Sequence, residues 1–543
     1  MMENEPPGLL FSIAGNFPDF GIRSQESGKY CQTLGVDGGR YSGFSISVAL
    51  ILAIVAGIAM MPETAIALAA ALLVFSFSFF LLLRLPENEF GSREMRMEAG
   101  MPAVLRTLGM LLQMNVPFVQ ALKIASHENG NWAAIAFSDA LKDVEGGAGL
   151  SRALANLAKR SKSPSLKKAI TQIISAYSHG GGADGIMRIA DDLVSLQKYK
   201  IRDFASRSAL FGLLFVVSAT VVPTFFLVIA SVGEFALGVN ISREAFIIAF
   251  LLVFPAVDLA ILSLSKMQMP PGPFGKPVGV GLDGNSPLLF FCFAAFAALA
   301  AAFAPGAEIG VAMLSCAGAA GLWLFLGKYN DDKRLEKIEA ELPDSLLASS
   351  GLPKSRGLDS VFAHLSNLEN TFSKEAEKTA KQLNAGLGIE KALDDLWRRN
   401  DSQMLKRVST LMLNANLAGA NISEKMHEMA EDLMMFAELR REKENALSMQ
   451  KYTLFLGALI VPAILSVSLN LAAQISSFIG QGNQGVLDAA PGTINGYIIL
   501  YSAVSAYYVS SCEERRSSMF AYFLLMAALG LAGFYIVSLQ FTT

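Results

Sequence analysis

Apolar and polar residues alternate in long blocks along this chain of 543 residues. About nine stretches approach the roughly 20 apolar residues that cross a bilayer, and each predicts a transmembrane helix. These stretches are residues 43–61, 64–83, 208–233, 244–265, 287–304, 310–327, 453–475, 494–511 and 519–538. Two long polar blocks, residues 84–207 and 328–452, lie between them, and each is long enough for a small core of its own.

Within both polar blocks, apolar residues recur at helix spacing. The stripes run through Leu150–Leu157 in the first block and Leu405–Ala415 in the second. Such a period predicts amphipathic helices, and strand-like alternation of β-branched residues is missing from these blocks. Both blocks are therefore predicted to be helical bundles. The last helix of each bundle is expected to continue into a span: 186–207 into 208–233, and 422–452 into 453–475.

The two halves of the chain repeat each other. Leu154 falls on Leu393 and Pro223 falls on Pro462, both 239 residues later. An acidic step beginning at Asp191 recurs in the second half with a slip of one residue. A duplicated unit of soluble bundle plus membrane span therefore organises the chain.

The distribution of positive charge predicts the orientation. If residues 1–42 lie inside and the chain crosses nine times, only Arg243 of the 44 Lys and Arg residues falls in an outer loop. Because basic residues resist translocation, the N-terminus is predicted to be cytoplasmic and Thr543 to lie outside the cytoplasmic membrane. Residues 1–42 lack the apolar region of a cleavable signal peptide.

These assignments predict an all-α, multi-pass membrane protein with two homologous cytoplasmic helical bundles. The predicted divisions are a cytoplasmic segment 1–42, two spans in 43–83, the first bundle 84–207, four spans in 208–327, the second bundle 328–452 and three spans in 453–543.

The chain lacks the usual marks of an enzyme. No phosphate-binding loop of the form G-x-x-x-x-G-K-[ST] is present, and the four histidines are scattered without partners at metal-ligand spacing. Nothing resembles a nucleic-acid module. We therefore expect no catalytic residue, no cofactor site, no metal site and no nucleic-acid partner.

Basic residues at matched repeat positions form the first candidate site. They are Lys159, Arg160, Lys167 and Lys168 in the first bundle, and Arg398, Arg399, Lys406 and Arg407 in the second. Such residues can simply be solvated or touch anionic headgroups. Their duplication also fits a docking surface for an acidic partner.

Three residues inside predicted spans are further candidates. Pro223 and Pro462 each remove a backbone donor, so they can serve as hinges, as packing notches, or as tolerated prolines. Asp258 is the only carboxylate well inside a span, and a buried intramembrane acid is a functional candidate. Water or a lysine could also reach Asp258 from the nearby helix end.

The repeated segments GLSRALANLAKR from Gly149 and GLGIEKALDDLWRR from Gly386, each followed by an acidic A-[DE]-D-L step and a span containing V-P, resemble the type II secretion system F domain. Two such domains with about nine spans resemble the platform protein of archaeal type IV pili and archaella. The resemblance implies a non-enzymatic, homodimeric platform in the cytoplasmic membrane. Its implied partners are a hexameric assembly ATPase and pilin or archaellin subunits, which it helps insert into a filament.

A secondary transporter built from repeats is the alternative. Transporters place polar residues and broken helices at the bilayer midplane, whereas the best-matched residues here lie in the bundles. The residues do not distinguish an archaellum from an adhesive pilus or a secretion pseudopilus.

Overall fold

The computed structural model describes residues 37–59, 91, 93–127, 131–179, 182–237, 241–272, 294, 297–298, 330, 333–351, 357–479, 483–512 and 519–542. Throughout these ranges the regular structure is helical, as the apolar period predicts. The predicted spans 64–83 and 310–327, and most of 287–304, lie outside the described residues.

The first repeat unit contains nine helices within its described ranges. They are α1 (Gly38–Ala59), α2 (93–113), α3 (Phe118–Ala125), α4 (Trp132–Glu145), α5 (Leu150–Arg160), α6 (Pro164–Ser178), α7 (Ala183–Leu237), α8 (Arg243–Ile248) and α9 (Phe254–Gln268). Helices α2 to α6 and the start of α7 form the first bundle. A π-helical segment, Ala249–Val253, joins α8 to α9.

The second repeat unit follows the same order. Its described helices are α10 (333–350), α11 (Leu358–Ser366), α12 (Ser373–Asn384), α13 (Ile389–Asn400), α14 (Gln403–Leu417), α15 (Ile422–Ile479), α16 (Gln484–Cys512) and α17 (Met519–Thr542). Helices α10 to α14 and the start of α15 form the second bundle.

Local stop and start signals recur between the repeats. Gly147 and Gly386 both have positive φ, at 95° and 84°, and each follows the end of a helix. Ser163 caps α6 by accepting from the backbone of Leu166, and Ser402 caps α14 in the same way. These small residues end and begin helices at equal spacing because glycine tolerates left-handed backbone and serine satisfies free amide groups.

The apolar stripes of both bundles pack into one continuous core. Buried members include Leu154 and Ile170 from the first bundle, and Leu393 and Leu405 from the second. One core cluster joins residues of α2 to those of α14 and α15, so the two bundles are packed against each other. The stripes predicted from the sequence supply this core.

Both bundles continue into long helices, as predicted. Helix α7 has 55 residues and α15 has 58, so each extends about 80 Å or more at 1.5 Å per residue. Within the described ranges, four helical stretches are long and apolar enough to cross a membrane: Ala183–Val232, Arg243–Lys266, Ile422–Phe478 and Met519–Gln540. These stretches contain four of the predicted spans.

Helices α7 and α15 run parallel and meet at equivalent repeat positions. Lys198 pairs with Glu438 at 2.9 Å, one turn before Arg202 pairs with Glu442 at 2.6 Å. Nearer the membrane, Val216 of α7 lies against Gly457 of α15. The partners are 240 or 241 residues apart, within two residues of the repeat spacing of 239. Contacts between equivalent positions are what a local twofold axis along the helices produces.

Helix α16 is largely buried among the neighbouring helices, and it is not one of the four stretches apolar enough to cross a membrane. It contains the predicted span 494–511, and 20 of its 29 residues are buried. Several buried members are polar, including Asn495, Ser502 and Ser505. Because most of α16 is packed against other helices, it tolerates a composition less apolar than that of its neighbours.

Candidate functional site

The first basic cluster lies on the surface of the first bundle. Lys159 and Arg160 end α5, while Lys167 and Lys168 lie in the first turns of α6. All four are exposed, and no ion pair involves them in the described part of the chain. All four charges are therefore accessible to solvent.

The second basic cluster is engaged within its own bundle. Arg398 pairs with Asp394 at 2.8 Å, and its guanidinium lies 5.5 Å from the ring centre of Trp397. Arg399 pairs with the buried Glu375.

Lys406, in the same cluster, lies 5.0 Å from the ring centre of Trp397 and donates to the backbone carbonyl of His127 at 3.1 Å. That carbonyl belongs to the first bundle. The two clusters match in sequence, but their surroundings differ.

Arg407 does not belong to a docking surface, which corrects the expectation drawn from its basic neighbours. Its side chain is 2% exposed and binds Asp432 at 2.5 Å. Its Nε donates to Thr107 Oγ1 of the first bundle at 2.9 Å. The equivalent residues of the first repeat, Lys168 and Asp192, are both exposed. Packing against the first bundle removes Arg407 from water.

Asp432 lies at the centre of this charged node between the bundles. Besides Arg407, it is approached at 3.3 Å by Arg106 from α2, which also pairs with Asp191. Burial raises the pKa of the Asp432 carboxyl, and the Arg407 and Arg106 guanidinium groups oppose that rise. Removing one partner from such a group leaves an uncompensated buried charge. The node therefore ties the two bundles together.

A second buried carboxylate organises α12. The Glu375 side chain is 1% exposed. Its carboxylate forms ion pairs with Arg334 at 2.5 Å, Lys378 at 2.8 Å and Arg399 at 3.3 Å. Burial acts to raise its pKa, but hydrogen bonds and charge from Lys378, Asn400 and Arg399 lower the pKa below its usual value. This arrangement accounts for Arg399 as a structural contact.

Asp258 lies inside the membrane bundle, 1% exposed. Its Oδ2 is 3.1 Å from the hydroxyl of Tyr497 on α16. Among the described residues no Lys, Arg or His pairs with it, so the alternative of a nearby lysine is not what the structure shows. Burial likewise separates it from water.

The two prolines occupy buried positions in uninterrupted helices. Pro223 lacks the amide that would bond to the Ala219 carbonyl, and the Tyr497 hydroxyl lies 3.0 Å from that oxygen instead. Pro462 frees the Ala458 carbonyl in the same way. That oxygen faces α17 at Gly530, where a β-carbon would approach it to 3.2 Å. Both prolines therefore lie where two helices pack against each other.

A π-helical segment precedes Asp258 by one turn. Residues Ala249–Val253 adopt it immediately before Pro255, whose ring cannot continue the regular bonding of an α-helix. Phe250 and Phe254 then pack edge-on to the Tyr497 ring at 5.7 and 6.4 Å between centres. The sequence did not point to Tyr497, because a tyrosine in an apolar run has no distinguishing pattern.

Metal binding finds no support in the described ranges. No group of three or more His, Cys, Asp and Glu side chains converges there as a metal site would require.

Two segments of the chain match the family model described as type II secretion system (T2SS), protein F: residues 104–230 and 345–469. Each segment covers a bundle and the first part of the membrane helix that follows. Neither a curated protein sequence nor a solved structure matches the chain significantly. The chain thus carries two domains of the type II secretion system F family, as the duplicated motifs predicted. This family is that of platform-like membrane proteins of secretion and type IV pilus systems.

Proposed function

We propose that this protein is the cytoplasmic-membrane platform of a type IV filament or related secretion machine. Its bundles lie in the cytoplasm, with the N-terminus inside and the C-terminus outside, where they bind a hexameric assembly ATPase. Motion of the ATPase is passed to the membrane helices, beside which pilin or archaellin subunits are inserted. The protein itself catalyses no reaction. The observation that carries the proposal is the pair of F domains, each continuous with a membrane helix.

The docking face for the ATPase is the basic surface of the first bundle. Lys159, Arg160, Lys167 and Lys168 are exposed there. The second bundle presents less free positive charge for docking. Lys406 and Arg399 hold contacts within the protein, and Arg407 is buried. A partner with an acidic surface is favoured by this charge.

The path of force runs through two rigid elements. Helices α7 and α15 have internal hydrogen bonds in water and in lipid alike, so neither needs to unfold where it enters the membrane. The shared core and the Asp432 node make the two bundles move as one body. A push on the first bundle would therefore reach both long helices.

A charge-reversal experiment tests the docking face. Full-length protein with Lys159, Arg160, Lys167 and Lys168 all changed to Glu is compared with the native chain in ATPase pull-down at several salt concentrations. Loss of capture, with unchanged elution as a folded membrane protein, is expected. The matched control changes four exposed lysines of the second bundle, Lys337, Lys374, Lys381 and Lys391, to Glu. Equal loss in both variants, or unchanged capture in the first, would contradict the docking face.

The homodimer implied by the resemblance is tested by measuring the mass of the purified protein in nanodiscs.

Solute uptake by the protein in liposomes, abolished by Asp258→Asn, would favour the transporter instead.

A further inference from the structure

The hydroxyl of Tyr497 lies between two acceptors in the membrane bundle. Its oxygen is 3.0 Å from the carbonyl of Ala219 on α7 and 3.1 Å from Oδ2 of Asp258 on α9. A phenolic hydroxyl carries a single proton, so it can make one full hydrogen bond as a donor. One of the two oxygens therefore needs a hydrogen from elsewhere.

An ionised Asp258 would leave this site unsatisfied. A carboxylate would draw the Tyr497 proton to itself, and the Ala219 carbonyl would lose the hydroxyl that replaces the amide Pro223 lacks. The carboxylate would also remain without a cation, because no described Lys, Arg or His pairs with it. Asp258 is buried, and the apolar rings of Phe250 and Phe254 pack against the Tyr497 ring beside it.

A protonated Asp258 removes this conflict. Its O–H donates to the Tyr497 oxygen, and the Tyr497 O–H donates to the Ala219 carbonyl. We propose that Asp258 is held as a neutral carboxylic acid, so that the junction of α7, α9 and α16 is a proton-binding site within the membrane bundle.

The site combines one residue from each repeat unit. Asp258 and Tyr497 are 239 residues apart, the spacing of the duplication, so the acid and its acceptor come from corresponding helices of the two units. The second unit has no such site at its own proline, because the carbonyl freed by Pro462 faces Gly530. One proton is therefore bound at this junction for each chain, and opening the junction to water would release it.

Infrared spectroscopy tests the proposal directly. The full chain in nanodiscs at pH 7.5, carrying isotope-labelled aspartate, is expected to show the C=O band of a protonated aspartate. The band should shift in Tyr497→Phe, which removes the proton acceptor, and disappear in Asp258→Asn. Absence of the band in the native protein would overturn the proposal, as would a band unchanged in either variant.

Thermal unfolding gives an independent measurement. Asp258→Asn keeps a neutral donor and should unfold within a degree or two of the native chain, whereas Asp258→Ala and Tyr497→Phe should unfold several degrees lower.

A second comparison adds proline substitutions to Tyr497→Phe. Pro223→Ala restores the backbone amide and should recover part of the Tyr497→Phe loss. Pro462→Ala should recover none of that loss of thermal stability, because the carbonyl freed by Pro462 faces Gly530 rather than Tyr497. Equal losses for Asp258→Asn and Asp258→Ala, or no recovery by Pro223→Ala, would contradict the hydrogen-bond chain.

Discussion

Lys198 of α7 and Glu438 of α15 form a 2.9 Å ion pair between equivalent positions of the two repeat units. The same relation recurs at Arg202 and Glu442, one turn further along. Two copies of one domain have therefore packed so that their long helices lie side by side and in register. A single chain contains the kind of contact that a homodimer forms across its twofold axis.

The buried apolar contacts between α7 and α15, which include Val194, Ile201 and Leu439, should stabilise this helix pair more than its ion pairs do. Lys198→Ala should cost less than about 1 kcal/mol, because Glu438 is largely exposed and surface pairs are weak. Leu439→Ala should cost about 2–5 kcal/mol, because Leu439 is buried against Val194 and Ile201. Denaturant unfolding of the full chain in detergent measures both. A larger loss for Lys198→Ala would show that charge holds the helices together.

Breaking the buried Asp432 node should lower the free energy of unfolding strongly. The same change at the exposed equivalent residue of the first repeat should have little effect. Asp432→Asn is expected to cost about 3–5 kcal/mol, because it leaves Arg407 buried without its partner. The matched change in the first repeat, Asp192→Asn, should cost under about 0.5 kcal/mol, since Asp192 is exposed. The double change Arg407→Met with Asp432→Leu should recover most of the loss. Similar values for Asp432→Asn and Asp192→Asn would show that the node contributes little.

Acid should weaken the second bundle through Glu375. Its folded-state pKa lies below the ordinary value of 4.5, so its contribution to stability is complete above pH 4.5 and is lost as pH falls through the folded-state pKa. The unfolding free energy of Glu375→Gln should therefore fall less steeply below pH 4.5 than that of the native chain. Glu390→Gln, at an exposed position, is the control and should follow the native profile. Parallel profiles for Glu375→Gln and native protein would exclude this role.

Close packing of α17 should depend on Gly530. A β-carbon there would lie 2.8 Å from Ile498 and 3.2 Å from the Ala458 carbonyl, so Gly530→Ala should cost about 1–3 kcal/mol. Gly185→Ala, in the first turn of α7 with open space around it, should be neutral or stabilising by up to about 1 kcal/mol. Thermal unfolding of both variants provides the comparison. A neutral Gly530→Ala would indicate that α17 can shift outward without loss.

The sequence by itself determined the features that depend on neighbours along the chain. Helix type, the run of each bundle into a membrane helix, and the duplication all follow from short-range periodicity, because a helix forms its own hydrogen bonds. The family of the two domains followed from the order of the repeated motifs.

Only the tertiary structure decided which equivalent residues share a role. Lys168 and Arg407 are alike in charge and repeat position, yet one is exposed and the other is buried against the first bundle. Tyr497 carried no pattern of its own, and it acquires a role only where three helices bring it between Asp258 and Ala219. Burial and hydrogen-bond partners are properties of packing between distant segments, and local sequence carries little information about them.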